Sequence, residues 1–277
     1  MGKSLVLGFF DGVHKAHRTV IESALGCSDD ITLISFKESP AVYFGKEPEY
    51  ILSRKNSVNK IKSLGVKEVV ELDFSIIASL TAEKYLENLV NSYRPVSIST
   101  GFNHTFGFNK TGNTDFLKNN QNKYNYKYIC VPQVEENGEV ISSTLIKNYL
   151  KQGNVEYANN LLESNFILEG TVIHGAKLGR TIGFPTANIK YPKDIVKLPY
   201  GVYKAIIDGK KTVMNWGMKP TVNNTSEPVI EAHILDFNGD LYGKEIRIEV
   251  LKQIRCEKKF SDLDELKTQI CEDIKKC

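Results

Sequence analysis

Short apolar runs alternate with amphipathic stretches through the first half of the chain. Ser4 to Leu7 and Ile31 to Phe36 read as buried strands, and residues 15–25 between them carry apolar positions at helical spacing. The same alternation continues: "SRKNSVNKIKSLG" predicts a helix closed by Gly65, "VKEVVEL" a strand, "TAEKYLENLVNSY" a helix and "PVSIST" a further strand. Strands and helices in turn imply a mainly parallel sheet covered by helices. The polar, glycine-containing segment from Gly101 to Asn125 reads as a long functional loop, and "ISSTLIKNYLKQGNVEYANNLL" restores helical spacing after it.

Beyond about Glu163 the period changes. "FILEGTVIHG", "GVYKAIIDG", "KTVMNWG", "PVIEAHILDF" and "EIRIEVLKQI" are strand-like runs separated by Gly, Asn, Asp and Pro, with an Asn-Gly turn signal in "DFNGDLYG". These runs predict an antiparallel sandwich or small barrel. One amphipathic helix, about Asp262 to Lys276, follows. The boundary is expected at 163/164, giving domains of residues 1–163 and 164–277.

Composition changes this picture little. With 41% hydrophobic and 25% charged residues, the chain has the balance of a globular protein, neither disordered nor fibrous. The net charge of +3 is scattered: residues 1–163 hold equal numbers of acidic and basic groups, which argues against a nucleic-acid partner. No apolar run is long enough to span a bilayer and no leader pattern precedes Ser4, so the cytoplasm is the expected compartment and no membrane partner is expected. The five cysteines lack CxxC spacing and are expected to be reduced thiols, with Cys277 exposed. Oligomeric state is not legible.

Candidate chemistry begins at "GFFDGVHKAH". Gly8 and Gly12 permit close backbone approach, and the helix that follows offers unpaired N–H groups to a phosphate. His14 and His17, three residues apart, share a helix face from which imidazole N–H groups could bind phosphate oxygens. Zinc is the rival reading, but only three further histidines exist and no cysteine is near. In the second half, "GAKLGRTIGFPTAN" combines three glycines with Lys177 and Arg180, a pattern suited to wrapping phosphate or to a hairpin bulge. Thr186 and Asn188, two apart, present hard oxygen ligands on one side of an extended segment, and strand alternation places Glu231 and His233 on one face.

Together these motifs resemble the bifunctional riboflavin kinase and FMN adenylyltransferase family, the prokaryotic FAD synthetases. "GFFDGVHKAH" is similar to the family's GxFDGVHxGH element, "GFNHTFGFNKTGN" to GxDFxFGxxxxG, and residues 142–147 to part of ISSTxIR, while "GRTIGFPTAN" and "IEAHILDF" match its kinase half. The resemblance implies an N-terminal Rossmann-like nucleotidyltransferase domain and a C-terminal antiparallel Greek-key-type β-barrel with a terminal helix. It implies a multifunctional transferase that phosphorylates riboflavin to FMN and adenylylates FMN to FAD, using ATP and Mg2+.

Carried residue by residue, the resemblance gives an adenylyltransferase ATP site of Gly8, Phe10, Gly12, His14, His17, Ser142, Ser143, Thr144 and Lys147, with Phe9, Asp11 and Asn103 on the flavin side. His14 and His17 would act catalytically there. In the kinase half, Gly175, Lys177, Gly179, Arg180, Thr186 and Asn188 would hold ATP, Thr186 and Asn188 the metal, and Arg255 the flavin; Glu231 would be the base toward the riboflavin 5'-hydroxyl. The sequence departs from the family pattern at Ala16 (glycine), Asn103 (aspartate), Lys147 (arginine), in "SFKESP", and at Ala176 and Leu178. The alternatives are a kinase whose first domain is degenerate or regulatory, and a flavin-binding regulator without turnover.

Overall fold

A computed structural model describes residues 2–175, 179, 182–219 and 227–277. Two compact units divide the chain, Met1–Leu145 and Ile146–Cys277.

The first unit begins with β1 (Lys3–Leu7), α1 (Lys15–Leu25), β2 (Ile31–Phe36), α2 (Pro40–Tyr43), α3 (Arg54–Ser63) and β3 (Glu68–Leu72). It continues with α4 (Phe74–Ile77), α5 (Ala82–Tyr93), β4 (Pro95–Gly101), β5 (Thr105–Phe106), β6 (Gly112–Asn113), α6 (Thr114–Tyr124) and β7 (Lys127–Val131). A small hairpin of β8 (Glu135–Glu136) and β9 (Glu139–Val140) precedes α7 (Ser143–Lys151). Five strands form a parallel sheet in the order β3-β2-β1-β4-β7.

The central strand β1 is apolar throughout because both of its faces are covered. Leu5 and Leu7 pack with Tyr85, Leu86 and Leu89 of α5, while Val6 packs with Val20, Ile21 and Ala24 of α1. The chain leaves β1 toward β2 on one side while β4 lies on the other, so a crevice opens at the carboxyl ends of these strands. The segment from Gly101 to Asn125 is more ordered than its polarity suggests: it holds the β5/β6 hairpin and α6, an 11-residue helix capped by Asn113 and ended by Asn125 in the left-handed region.

The helical stretch after Ser142 is two helices. Gly153, with φ of +81°, breaks it, and Asn154 caps α8 (Val155–Leu162) by accepting the Tyr157 N–H at 3.3 Å. Both Ile146 onward and α8 belong to the second unit, ahead of the expected boundary at 163/164. Asn159 ties α8 to the strands that follow: its Nδ2 donates to the Val250 carbonyl and its Oδ1 accepts the Phe166 N–H.

The second unit continues with β10 (Phe166–Ile173), β11 (Ala187–Ile189), β12 (Gly201–Ile207), β13 (Lys210–Lys219), β14 (Glu227–Ile234), β15 (Glu245–Cys256) and α9 (Leu263–Lys275). The strands close into an antiparallel barrel in the order β10-β11-β14-β13-β12-β15. Trp216, Tyr203 and Phe166 are fully buried, and on β14 Ile230, Ala232 and Ile234 are buried while Glu231 and His233 are half-buried. The Asn238-Gly239 signal does not make a hairpin. β14 pairs with β11 and β13, β15 with β10 and β12, so the segment between them crosses from one part of the barrel to another.

α9 is capped by Asp262, whose Oδ1 accepts the N–H groups of Asp264 and Glu265, and its end lies against the barrel. Cys277, expected to be exposed, is buried with Val202 and Val213, and its thiol donates to the Thr212 carbonyl at 3.3 Å. Cys130, Cys256 and Cys271 are exposed free thiols. Among the described residues no helix is long and apolar enough to cross a membrane.

Candidate active sites

The loop after β1 is wound tightly. Phe10, Gly12 and Val13 all have positive φ, at 59°, 80° and 49°, an uncommon run for which only glycine is suited and which is an outlier for β-branched valine. The strain is held by buried contacts. Phe10 and Val13 lie in the apolar core, Asp11 Oδ1 accepts the Ile51 N–H at 2.8 Å, and the Asp11 carbonyl accepts the Ser143 hydroxyl at 3.0 Å. Lys60 Nζ donates to the Gly12 carbonyl at 3.1 Å.

The loop delivers His14 to the N-cap of α1, where its Nδ1 accepts the His17 N–H at 3.4 Å. That hydrogen bond puts the imidazole proton on Nε2. The two rings stack 3.6 Å apart at 17°, and burial is the main cause that pushes both histidines down, His14 to about 3 and His17 well below its ordinary value, with Lys60 adding to it. Both are neutral in the free protein. His17 Nδ1 is buried without a hydrogen-bond partner among the described residues.

A cavity of about 430 Å³ opens here at the ends of β1, β4 and β7. Gly8, Phe9, Phe10, His14 and His17 line it from the loop and α1, Asn103 from the loop after β4, and Ser142, Ser143 and Thr144 from the start of α7. Ala16 adds its methyl to the same wall. Not every expected residue faces it. Asp11 and Gly12 are spent on the loop itself, since the side chain of the one and the backbone of the other are engaged in holding the turn. Lys147 sits on α7 within the second unit and is not a lining residue.

Sequence reasoning passed over two groups at this site. His104 lines the cavity, stacks on Phe106 at 5.7 Å and has its Nε2 without a hydrogen-bond partner among the described residues; burial lowers it to about 4. Arg54 stands 4.7 Å from the Phe9 ring and donates Nη1 to the Phe9 carbonyl, while Nε and Nη2 reach Glu71. It fixes Phe9 from behind. His104 follows Asn103 within the "GFNHTFGFNKTGN" element, at a position whose role the motif does not indicate, whereas Arg54 lies in no motif and only the fold brings it to the loop.

The second unit has two cavities on opposite sides of β14. One, about 620 Å³, is lined by Val172, Ala187, Ala232, Ile234 and residues 237–242 of the crossing segment. The other, about 470 Å³, is lined by Glu231 and His233 of β14, Asn215 of β13, Arg255 of β15, and Leu266, Ile270 and Asp273 of α9. Thr186 lines both.

Register explains the cluster around Glu231. It is directly opposite Asn188 on β11 and Asn215 on β13, so the three side chains form a row on one face of the barrel wall. Asn215 is a lining residue that sequence reasoning did not select. Asn188 is buried and lines neither cavity; Gly175 presses against it so closely that a Cβ there would lie 2.5 Å from Asn188 Nδ2. Gly179 likewise admits the Phe184 carbonyl, which a Cβ would meet at 2.3 Å, and its own carbonyl accepts the Phe184 N–H at 2.7 Å. Lys177 and Arg180 lie outside the described residues. Arg255 is bound to Asp273 of α9 at 2.9 Å.

Comparison with known proteins assigns each unit separately. Residues 1–145 match the family model of FAD synthetase, and residues 162–277 match that of riboflavin kinase. The bifunctional riboflavin kinase/FMN adenylyltransferase of Bacillus subtilis is 34% identical over 285 residues, covering 97% of this chain and 89% of the relative. That of Escherichia coli K12 is 32% identical over 288 residues, covering 98% and 90%. The crystal structure of a Streptococcus pneumoniae protein described as a macrolide-efflux protein matches with a TM-score of 0.90 at 33% identity, over 99% of this chain and 93% of that one. On the two family matches and the near full-length relatives, the chain belongs to the bifunctional riboflavin kinase/FMN adenylyltransferase family.

Proposed function

We propose that the second unit phosphorylates riboflavin and the first adenylylates the product. The chain is a transferase with both activities: riboflavin and ATP give FMN and ADP, and FMN with a second ATP gives FAD and pyrophosphate. What carries this division is that each unit has its own cavity at its own motif, with the His14–His17 pair in one and Glu231 in another.

In the kinase unit, riboflavin occupies the cavity lined by Glu231, Asn215 and Arg255, and ATP occupies the cavity across β14, with Thr186 shared between them. Glu231 accepts the proton of the 5'-hydroxyl as its oxygen attacks the γ-phosphorus, and ADP leaves with the bond electrons. Asn188 and Asn215 flank Glu231 on the neighbouring strands. The neutral oxygens of Thr186 and Asn188 would hold a Mg2+ ion, which would neutralise charge on the transferring phosphoryl group.

In the first unit, the FMN phosphate attacks the α-phosphorus of ATP and pyrophosphate leaves. His14 donates its Nε2–H to phosphate oxygen, and the unpartnered His17 Nδ1 suits a ligand donor or a proton acquired when polyphosphate binds. The hydroxyls of Ser142 and Thr144 and the N-terminal N–H groups of α7 add donors, while the Ser143 hydroxyl, spent on the Asp11 carbonyl, holds the loop. Phe9 and Asn103 border the flavin.

Chromatography of flavins after incubation with riboflavin, ATP and Mg2+, beside a reaction started from FMN, tests this. FAD is expected from both. FMN alone from the first and no product from the second would leave the first unit without catalysis.

A further inference from the structure

The terminal helix α9 carries one residue out of keeping with its polar surface. Asp273 is 1% exposed, the one buried residue of α9. Its carboxylate receives the fork of Arg255: Nε donates to Oδ1 at 3.1 Å and to Oδ2 at 3.0 Å, and Nη2 lies 2.9 Å from Oδ2. Gln269, one turn earlier, donates Nε2 to Oδ1 at 3.1 Å. Arg255 is held from its other side, with Nη1 donating to the Cys256 carbonyl at 3.1 Å and the guanidinium 5.6 Å from the Phe260 ring. A buried carboxylate is tolerated only when paired in this way.

The pair pins a strand to a helix. Arg255 lies near the end of β15, opposite Val202 of β12, and Asp273 lies in the last turn of α9. Both residues line the cavity of Glu231, and α9 also contributes Leu266 and Ile270 to its wall. The spacing between helix and barrel at this point is therefore set by a bidentate fork, whose geometry is more restrictive than apolar contact.

We propose that Asp273 is a positioning residue for riboflavin: through Arg255 it fixes the α9 wall of the cavity and holds the guanidinium beside the flat ring. This rests on the assignment of that cavity to riboflavin. Both carboxylate oxygens of Asp273 are taken by N–H donors, so it does not serve as the base, and its loss leaves proton transfer at Glu231 in place. Ground-state binding of riboflavin should change without an equal change in the chemical step.

The test is steady-state FMN formation by the full chain carrying Asp273→Asn, with riboflavin varied at saturating ATP and then the reverse. KM for riboflavin is expected to rise about tenfold, the loss of one charge-assisted contact. The kcat and the KM for ATP should stay within about threefold, and FAD formation from FMN should be unchanged. Arg255→Lys, which keeps the charge and removes the fork, should move the same constant in the same direction, and decides the matter if Asp273→Asn does not fold. Unchanged KM for riboflavin, or equal losses in kcat and both KM values, would overturn the proposal. A parent chain that forms no FMN would overturn the kinase assignment itself, and the positioning role with it.

Discussion

Gly175→Ala is a one-methyl test of the kinase site. Gly175 is not in the left-handed region, so alanine meets no backbone penalty, and the effect is one of contact. The new Cβ would lie 2.5 Å from Asn188 Nδ2 and 2.6 Å from Cγ and Oδ1, whereas ordinary contact begins at 3.4 Å, so the carboxamide must retreat by about 0.9 Å. It has little room. Asn188 is 6% exposed, paired in register with Ile173 on one side and Glu231 on the other. Overpacking of this kind costs about 1–3 kcal/mol of stability. Displacing a ligating or orienting group by nearly 1 Å costs about 100-fold in rate. FMN formation from riboflavin at saturating ATP should fall by that factor, while FAD formation from FMN continues at the parental rate. Parental FMN formation by a folded Gly175→Ala chain would refute the placement of Asn188 in the kinase machinery.

Three other outcomes follow from the geometry. Gly12→Ala sets a side chain at φ +80° with its Cβ 3.1 Å from three atoms of Ile51, costing about 1–2 kcal/mol of backbone strain beyond the crowding; FAD formation should fall with FMN formation intact, and equal activity from both would contradict it. His14, depressed in the folded state to about 3, binds a proton on unfolding below pH 6.5, so stability falls as pH drops from 6.5 toward 3, by about 2 kcal/mol for His14 at pH 5. His17 and His104 act in the same direction. In urea at pH 5, ellipticity of the first unit should be lost before the fluorescence change of Trp216, the single tryptophan, which lies in the second; coincident transitions at pH 5 and pH 7 alike would contradict this. Finally, a maleimide should label Cys130, Cys256 and Cys271 rapidly and Cys277 only on unfolding, as checked by peptide mass.

Legibility in the sequence followed burial. β1 and β2 were readable because both faces of the strands are covered and the runs are apolar, and five of the six barrel strands were readable as β-type runs, whereas β11 (Ala187–Ile189) is too short to show a period. α6 was not: "TDFLKNNQNKY" buries only Leu117 fully, so its helical state rests on the Asn113 cap and tertiary contact rather than on a visible stripe. The Asn-Gly signal misled because the turn propensity is local, whereas the pairing of β14 and β15 with other strands is settled by barrel closure. At the sites, residues joined in short motifs were found. Those that converge from separate strands, Asn215 opposite Glu231 and Asp273 on Arg255, carry no sequence spacing that would reveal them.

Glu231→Gln tests the separation of the two reactions most directly. The amide keeps the shape and removes the proton acceptor. Incubated with ATP and Mg2+, the variant should form no FMN from riboflavin and should convert supplied FMN to FAD at the parental rate. Retained FMN formation, or loss of both conversions in a folded chain, would contradict a kinase base at Glu231 acting apart from an adenylyl-transfer site at His14 and His17.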